Sequence, residues 1–164
     1  MKILNGPSNY YYDNGNKDSE GIYLNNKREG NWKFYFYGGQ LSCIAEFNND
    51  DATKESYFDA NGNPLKDTIP QEHEPTFNGG VQALYKYISQ NFRIPNDLRS
   101  IHGKITVVFV VDRDGRVTDV RIDKSLNEKL DQEAVRVVSS LPDWNPGIQF
   151  NRPVRVQYLV PIGL

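Results

Sequence analysis

The fold of the second half of the chain is decided by the stretch Lys104-Ile105-Thr106-Val107-Val108-Phe109-Val110-Val111, which runs into Asp112-Arg113-Asp114-Gly115. Branched and aromatic side chains dominate the first eight positions, and every second one falls on the same face of a strand. The Asp and Gly residues that follow are typical of a turn, and residues 116–123 alternate again. The stretch therefore predicts two antiparallel strands joined by a tight turn at Gly115.

Helical periodicity flanks this hairpin on both sides. Before it, apolar residues at helical spacing predict a helix that ends before Pro95, with the stripe Phe77, Val81, Leu84, Tyr85, Ile88 and Phe92. After it, a capping box, Ser125-Leu126-Asn127-Glu128, predicts the start of a helix that stops at Pro142. A last strand, Pro153–Ile162, alternates cleanly. The order α-β-β-α-β predicts an α+β domain over residues 77–164, with a three-stranded antiparallel sheet packed on two helices.

The first 65 residues show a weak repeat. Three aromatic runs each lead into a turn glycine, and these glycines, Gly15, Gly39 and Gly62, lie 24 and 23 residues apart. A period of this size is typical of one supersecondary unit stacked on copies of itself. Asn14-Gly15, Gly38-Gly39 and Asn61-Gly62 favour two-residue hairpin turns. The pattern predicts an antiparallel β-meander over 1–65, followed by a linker over 66–76.

Composition argues against several classes of function. The chain has 38% hydrophobic and 24% charged residues and a net charge of −2, so nothing in the totals favours nucleic acid. Two histidines, His73 and His102, and one cysteine, Cys43, occur without any metal-binding or nucleophile motif. We therefore expect no catalytic residue, no metal, no cofactor and no small-molecule substrate, and a Cys43 thiol that is buried. Trp32, Tyr35 and Tyr37 are either sheet-covering aromatics or a face that binds sugar or peptide.

Two resemblances extend this interpretation. The spacing Gly21-x-Tyr23, Gly30-x-Trp32-x-x-Tyr35 and Gly39-x-Leu41 resembles the bacterial variant of the MORN-type repeat, which implies a scaffold or interaction module.

Residues 77–164 resemble the C-terminal domain family of the energy transducer TonB. The matching motifs are Phe77-Asn78-Gly79-Gly80, Ile94-Pro95, Gly103, Asp112-x-Asp114-Gly115-x-Val117, Leu130-Asp131-x-Glu133-Ala134, Trp144-x-Pro146-Gly147 and Pro153-Val154-x-Val156-x-Tyr158-x-Val160-Pro161. The resemblance implies a periplasmic, non-enzymatic domain that pairs an extended segment of an outer-membrane receptor with its last strand. The sequence carries no signal-peptide or anchor pattern, so this location rests on the resemblance.

The implied partner-binding residues are Arg152, Val154, Arg155, Val156, Gln157, Tyr158, Leu159 and Val160. Arg152 and Arg155 are expected to meet an acidic residue of the partner. A second interpretation stays open, in which the same strand edge pairs with another copy of the chain and the protein is a self-associating structural or assembly protein without a transport role.

Overall fold

The computed structural model describes residues 3–66 and 72–164, in two compact units. The front unit comprises the chain up to Glu72 together with residues 148–152, and the rear unit comprises residues 73–147 and 153–164. The short segment 148–152, predicted to belong to the rear domain, therefore packs within the front unit. Of the predicted linker over 66–76, residues 67–71 lie outside the described residues.

The front unit contains a five-stranded antiparallel sheet in sequential order. Its strands are β1 (Gly6–Tyr11), β2 (Lys17–Leu24), β3 (Lys27–Tyr35), β4 (Leu41–Asn48) and β5 (Asp51–Tyr57). Each strand pairs with the next along the chain, so the predicted β-meander is confirmed.

Two kinds of turn alternate along this meander. Gly15, Gly39 and Gly62 have φ of +85°, +93° and +84° and each donates its N–H to the carbonyl three residues earlier, at 3.0, 2.8 and 2.9 Å. These are three-residue loops that end in a left-handed glycine, so the predicted two-residue turns at these sites were wrong. Two-residue turns lie instead at Asn25-Asn26 and Asn49-Asp50, where both residues have positive φ. Short polar side chains make such a conformation tolerable without glycine.

The core of the front unit lies on one face of its sheet. The buried side chains there are Trp32, Phe34, Cys43, Ala45, Phe47, Tyr57 and Phe150. Gly21 is required beneath Trp32, because a Cβ on Gly21 would lie 2.2 Å from the indole ring. Phe150 arrives from the second half of the chain and stacks on Phe34 with ring centroids 3.9 Å apart.

The rear unit consists of two helices and a three-stranded antiparallel sheet. Its elements are α1 (Gly80–Asn91), a 3₁₀ turn (Asn96–Leu98), β6 (Lys104–Val111), β7 (Val117–Lys124), α2 (Glu128–Ser139) and β10 (Val156–Gly163). Two short strands lie between α2 and β10 along the chain, β8 (Gly147–Gln149) and β9 (Arg152–Val154), and residues 148–152 of this hairpin belong to the front unit. The sheet order is β10-β6-β7, and β8 pairs separately with β9. The predicted last strand, 153–162, is thus broken at Arg155 into β9 and β10.

The helices differ from expectation at their ends and on one flank. On α2, Leu130, Ala134, Val137 and Val138 are buried as predicted, but the N-cap is Asn127, whose side chain accepts a bond from the Lys129 N–H. Ser125 bonds to Asp131 instead, so the predicted capping box was wrong. On α1, Leu84 and Ile88 are buried, whereas Val81 and Tyr85 are 55% and 41% exposed.

No helix in residues 3–66 or 72–164 combines the length and apolarity that crossing a membrane requires.

Candidate strand-pairing edge

Strand β10 forms one edge of the rear sheet. Its register with β6 is unbroken from Val156 opposite Val111 to Gly163 opposite Lys104. Just beyond it, Leu164 and Gly103 exchange both backbone hydrogen bonds, at 3.0 and 3.2 Å. No other strand of the described chain pairs with the far side of β10.

The Leu164–Gly103 pair determines which backbone groups of β10 face outward. Opposed residues in an antiparallel ladder alternate between pairs that exchange bonds and pairs that do not. Counting back from Leu164, the even-numbered residues from Val156 to Ile162 bond to β6. The odd-numbered ones direct their N–H and C=O groups away from the sheet: Gln157, Leu159, Pro161 and Gly163. Proline has no N–H, so the edge offers donors at the other three and acceptors at all four.

The side chains of β10 divide between the two faces of the sheet. Val160 and Ile162 are 1% and 4% exposed and pack in the rear core. Tyr158 packs against Trp144, with ring centroids 4.8 Å apart, and Trp144 is a buried core residue as predicted. Leu159 is 51% exposed. Gln157 accepts a hydrogen bond from Arg121 at 2.9 Å.

Arg152 does not belong to this edge. Its side chain is buried in the front unit, where Nη1 donates to Asp18 Oδ1 at 2.5 Å and to the Tyr12 hydroxyl at 2.8 Å. A buried guanidinium requires such partners, because its desolvation is otherwise too costly. The expectation that Arg152 is available to a partner was therefore wrong. Val154 lies in β9, which pairs with β8, so it is not part of the candidate edge either.

Arg155 lies between β9 and β10 and is already neutralised. Its Nη2 is 2.8 Å from Asp119 Oδ2, and its Nε is 3.5 Å from Asp112 Oδ2. The side chain is 41% exposed, but two carboxylates already satisfy its charge. The edge therefore does not present the free positive charge that the sequence suggested.

The opposite edge, β7, is built differently. Its pairing with β6 shifts register twice, between Thr106 and Val107 and between Val108 and Val110. Asp119 has a φ of +51°, and residues 119, 121, 123 and 124 are charged. Bulges and charged side chains are devices that protect an edge from added strands. Strand β10, by contrast, has no register shift and no charged residue from Val156 to Gly163.

A groove lies beside the C-terminal end of β10 and was not foreseen. It has a volume of about 240 Å³ and is lined by Tyr85, Ile88, Ser89, Phe92, Ile94, Ile162, Gly163 and Leu164. Tyr85 and Ile94 are 41% and 40% exposed. The signal in the sequence was the width of the predicted apolar stripe. Four of its six residues, Val81, Leu84, Tyr85 and Ile88, lie in α1, and only part of the stripe could face the core.

The other candidate positions are Cys43 and three aromatic residues of the front unit. In the part of the chain that the structure describes, no three His, Cys, Asp or Glu side chains group as metal ligands would. Cys43 is fully buried, and burial raises the pKa of its thiol to about 12. Trp32 is 2% exposed and Tyr35 bonds to Glu20, so of the three proposed binding aromatics only Tyr37 is well exposed.

Comparison with known proteins finds a family that part of the rear unit resembles. Residues 97–163 match the family described as Gram-negative bacterial TonB protein C-terminal. The predicted resemblance to TonB C-terminal domains is therefore confirmed over this range, from the 3₁₀ turn to the end of β10.

Among solved structures, the chain is similar to the solution structure of the TonB C-terminal domain from Helicobacter pylori. The two are 24% identical, with a TM-score of 0.42, and the match covers 51% of this chain and 90% of the other. No curated protein matches the chain. The family match does not reach residues 3–66, so the MORN-type resemblance stays a prediction.

Proposed function

We propose that this protein is a cell-envelope binding module that captures an extended segment of another protein by adding it as a fourth strand beside β10. The observation that carries the proposal is the unbroken edge of β10, which no other strand in residues 3–66 or 72–164 pairs with on its far side. Its outward backbone groups lie at Gln157, Leu159, Pro161 and Gly163. Backbone groups of an added strand give affinity in this mode, and its alternate side chains give selectivity.

The partner proposed is a segment of an outer-membrane receptor or another envelope protein, with a role in energy transduction to outer-membrane transporters. The family match over residues 97–163 supports a protein partner and a periplasmic location. Each backbone bond contributes about 0.5–1.5 kcal/mol net. A segment held by a few such bonds therefore binds in the micromolar range or more weakly.

Self-association through the same edge is the competing function, because an exposed regular strand is a template for pairing. Pro161 disfavours it. A two-fold copy would bring Pro161 into the ladder twice, and each copy would leave one acceptor without a donor. Sedimentation of the protein at increasing concentration separates the two, since the competing function requires a dimer and the proposal a monomer.

The front sheet is proposed to act as a scaffold. Its support is the regular alternation of glycine turns and two-residue turns, at a spacing of 24 residues from Asn25 to Asn49. A repeat of this kind builds an extended surface from one unit.

Leu159→Pro tests the binding mode. The substitution removes one outward donor, at the same side of the edge where Pro161 is already accommodated, and should abolish binding of extended peptides while the fold is retained. Leu159→Ala is the control, because it removes the same side chain and keeps the N–H. If the two variants bind equally well as judged by amide shifts, the backbone of β10 does not hold the partner and the proposal fails.

A further inference from the structure

We infer that the groove between α1 and the end of β10 is a pocket for one bulky apolar side chain of the added segment, and so sets its sequence preference. This inference rests on the proposed function. The relevant juxtaposition is that Ile162 and Gly163 belong both to the pairing edge and to the lining of the groove.

Side chains alternate between the two faces of a sheet, and this alternation determines which residue of the added segment can enter the groove. In an added strand, residues opposite Tyr158, Val160 and Ile162 point to the face that carries the helices, because these three side chains do. Tyr158, Val160 and Ile162 already bond to β6, so they exchange no backbone hydrogen bonds with the added strand. At such positions of an antiparallel ladder the opposed side chains approach most closely. A residue opposite Ile162 is therefore directed towards the groove.

The lining determines the chemistry of that residue. Most of the lining side chains are apolar: Ile88, Phe92, Ile94, Ile162 and Leu164. The polar groups among the lining side chains are the hydroxyls of Tyr85 and Ser89. A carboxylate or an ammonium group would lose hydration there without a charged partner. A leucine, isoleucine or phenylalanine would gain by burying its side chain.

The size of the groove also points to a single side chain. Pockets for small molecules span about 300–1,000 Å³, and this groove has about 240 Å³. Its rim, Tyr85 and Ile94, exposes apolar surface beside unpaired backbone groups. Contiguous exposure of this kind marks interaction sites.

A second copy of the chain does not fit the groove. If β10 of a copy were the added strand, the residues on its helix-bearing side would be Tyr158, Val160 and Ile162. Val160 and Ile162 are 1% and 4% exposed, because they fill the copy's own core. The occupant is therefore a heterologous segment whose alternate side chains are free.

The test uses a nine-residue host peptide of threonine and glutamine, in which one leucine or phenylalanine is moved through the positions. Binding to the full chain is followed by backbone amide shifts. With the apolar residue at one position, the peptide should bind about tenfold more tightly than the host peptide that lacks it. Tyr85→Ser should remove that advantage, while Val81→Ser, which alters an exposed residue of α1 outside the lining, should leave it intact.

The outcomes separate this inference from the proposed function. Amide shifts at Gln157 and Leu159 could appear while the affinity stays the same with or without the apolar residue and in Tyr85→Ser. In that case the side-chain pocket is overturned and strand addition stands. If no peptide shifts the β10 amides, both are overturned. A gain in affinity that depends on the position of the apolar residue, and that is lost in Tyr85→Ser but kept in Val81→Ser, supports both the pocket and strand addition.

Discussion

Phe150 stacks on Phe34 with ring centroids 3.9 Å apart and an interplanar angle of 11°. Phe150 sits in a two-residue turn between β8 and β9, with Asn151, and both residues have positive φ. It is 7% exposed in the core of the front unit. The core of the front unit therefore includes a residue that lies in the second half of the sequence.

Phe150→Ala should destabilise the front unit by about 3 kcal/mol, because it leaves a cavity over Phe34 and Phe47. Urea unfolding followed through amide signals of β3 and β4 measures the change. Tyr11→Ala is the control, since Tyr11 is 62% exposed. Equal stability of the two variants would show that Phe150 is not part of this core.

Arg152→Ala should cost about 2–3 kcal/mol in the same assay. The substitution leaves the Asp18 carboxylate, 27% exposed, without its cation. Lys33→Ala, which removes a half-exposed lysine 4.0 Å from Glu20, should cost less than about 1 kcal/mol. A loss for Arg152→Ala no larger than that of the control would mean that Arg152 lies in water.

Gly115→Ala should destabilise the rear unit far more than Gly80→Ala. Both glycines have a left-handed backbone, with φ of +86° and +77°, which costs other residues about 1–3 kcal/mol. At Gly115 a Cβ would also lie 2.0 Å from the backbone oxygen of Trp144, whereas Gly80 faces open space. The difference between their urea midpoints isolates this close approach. Similar midpoints would contradict it.

Cys43 should resist alkylation in the folded protein. Its pKa is raised to about 12 by burial first and by Glu55 second, so the reactive thiolate is scarce at pH 8. Because the folded pKa lies above the ordinary value of 9.0, the associated stability is full below pH 9 and is lost as the pH rises towards 12. Mass spectrometry after iodoacetamide treatment should show labelling only when urea is present. Rapid labelling of the native chain would place Cys43 at the surface.

Much of the fold follows from local pattern. The alternation around Phe109 and the periodicity of Leu130 to Val138 predicted elements that the structure has, because burial of one face dictates both periods. The turn types and the helix cap were mispredicted, since Asn14-Gly15 is compatible with more than one loop length and Ser125 and Asn127 are both capping residues.

The candidate site was less predictable, because it depends on tertiary partners. Arg152 and Arg155 look alike in the sequence, yet one is buried beside Asp18 and the other lies between Asp112 and Asp119. Tyr85 and Leu84 are neighbours in α1, yet Tyr85 is 41% exposed and Leu84 is buried. Neither property is encoded in spacing along the chain.

Hydrogen exchange along β10 tests the central claim most directly. In the free protein, the amides of Gln157, Leu159 and Gly163 should exchange fast, and those of Tyr158, Val160 and Ile162 should exchange slowly, because only the latter bond to β6. Adding a binding segment should slow the three fast amides and leave the slow ones slow. Protection that appears on residues 117–124 or on the front sheet, with Gln157 and Leu159 still exchanging fast, would contradict strand addition at β10.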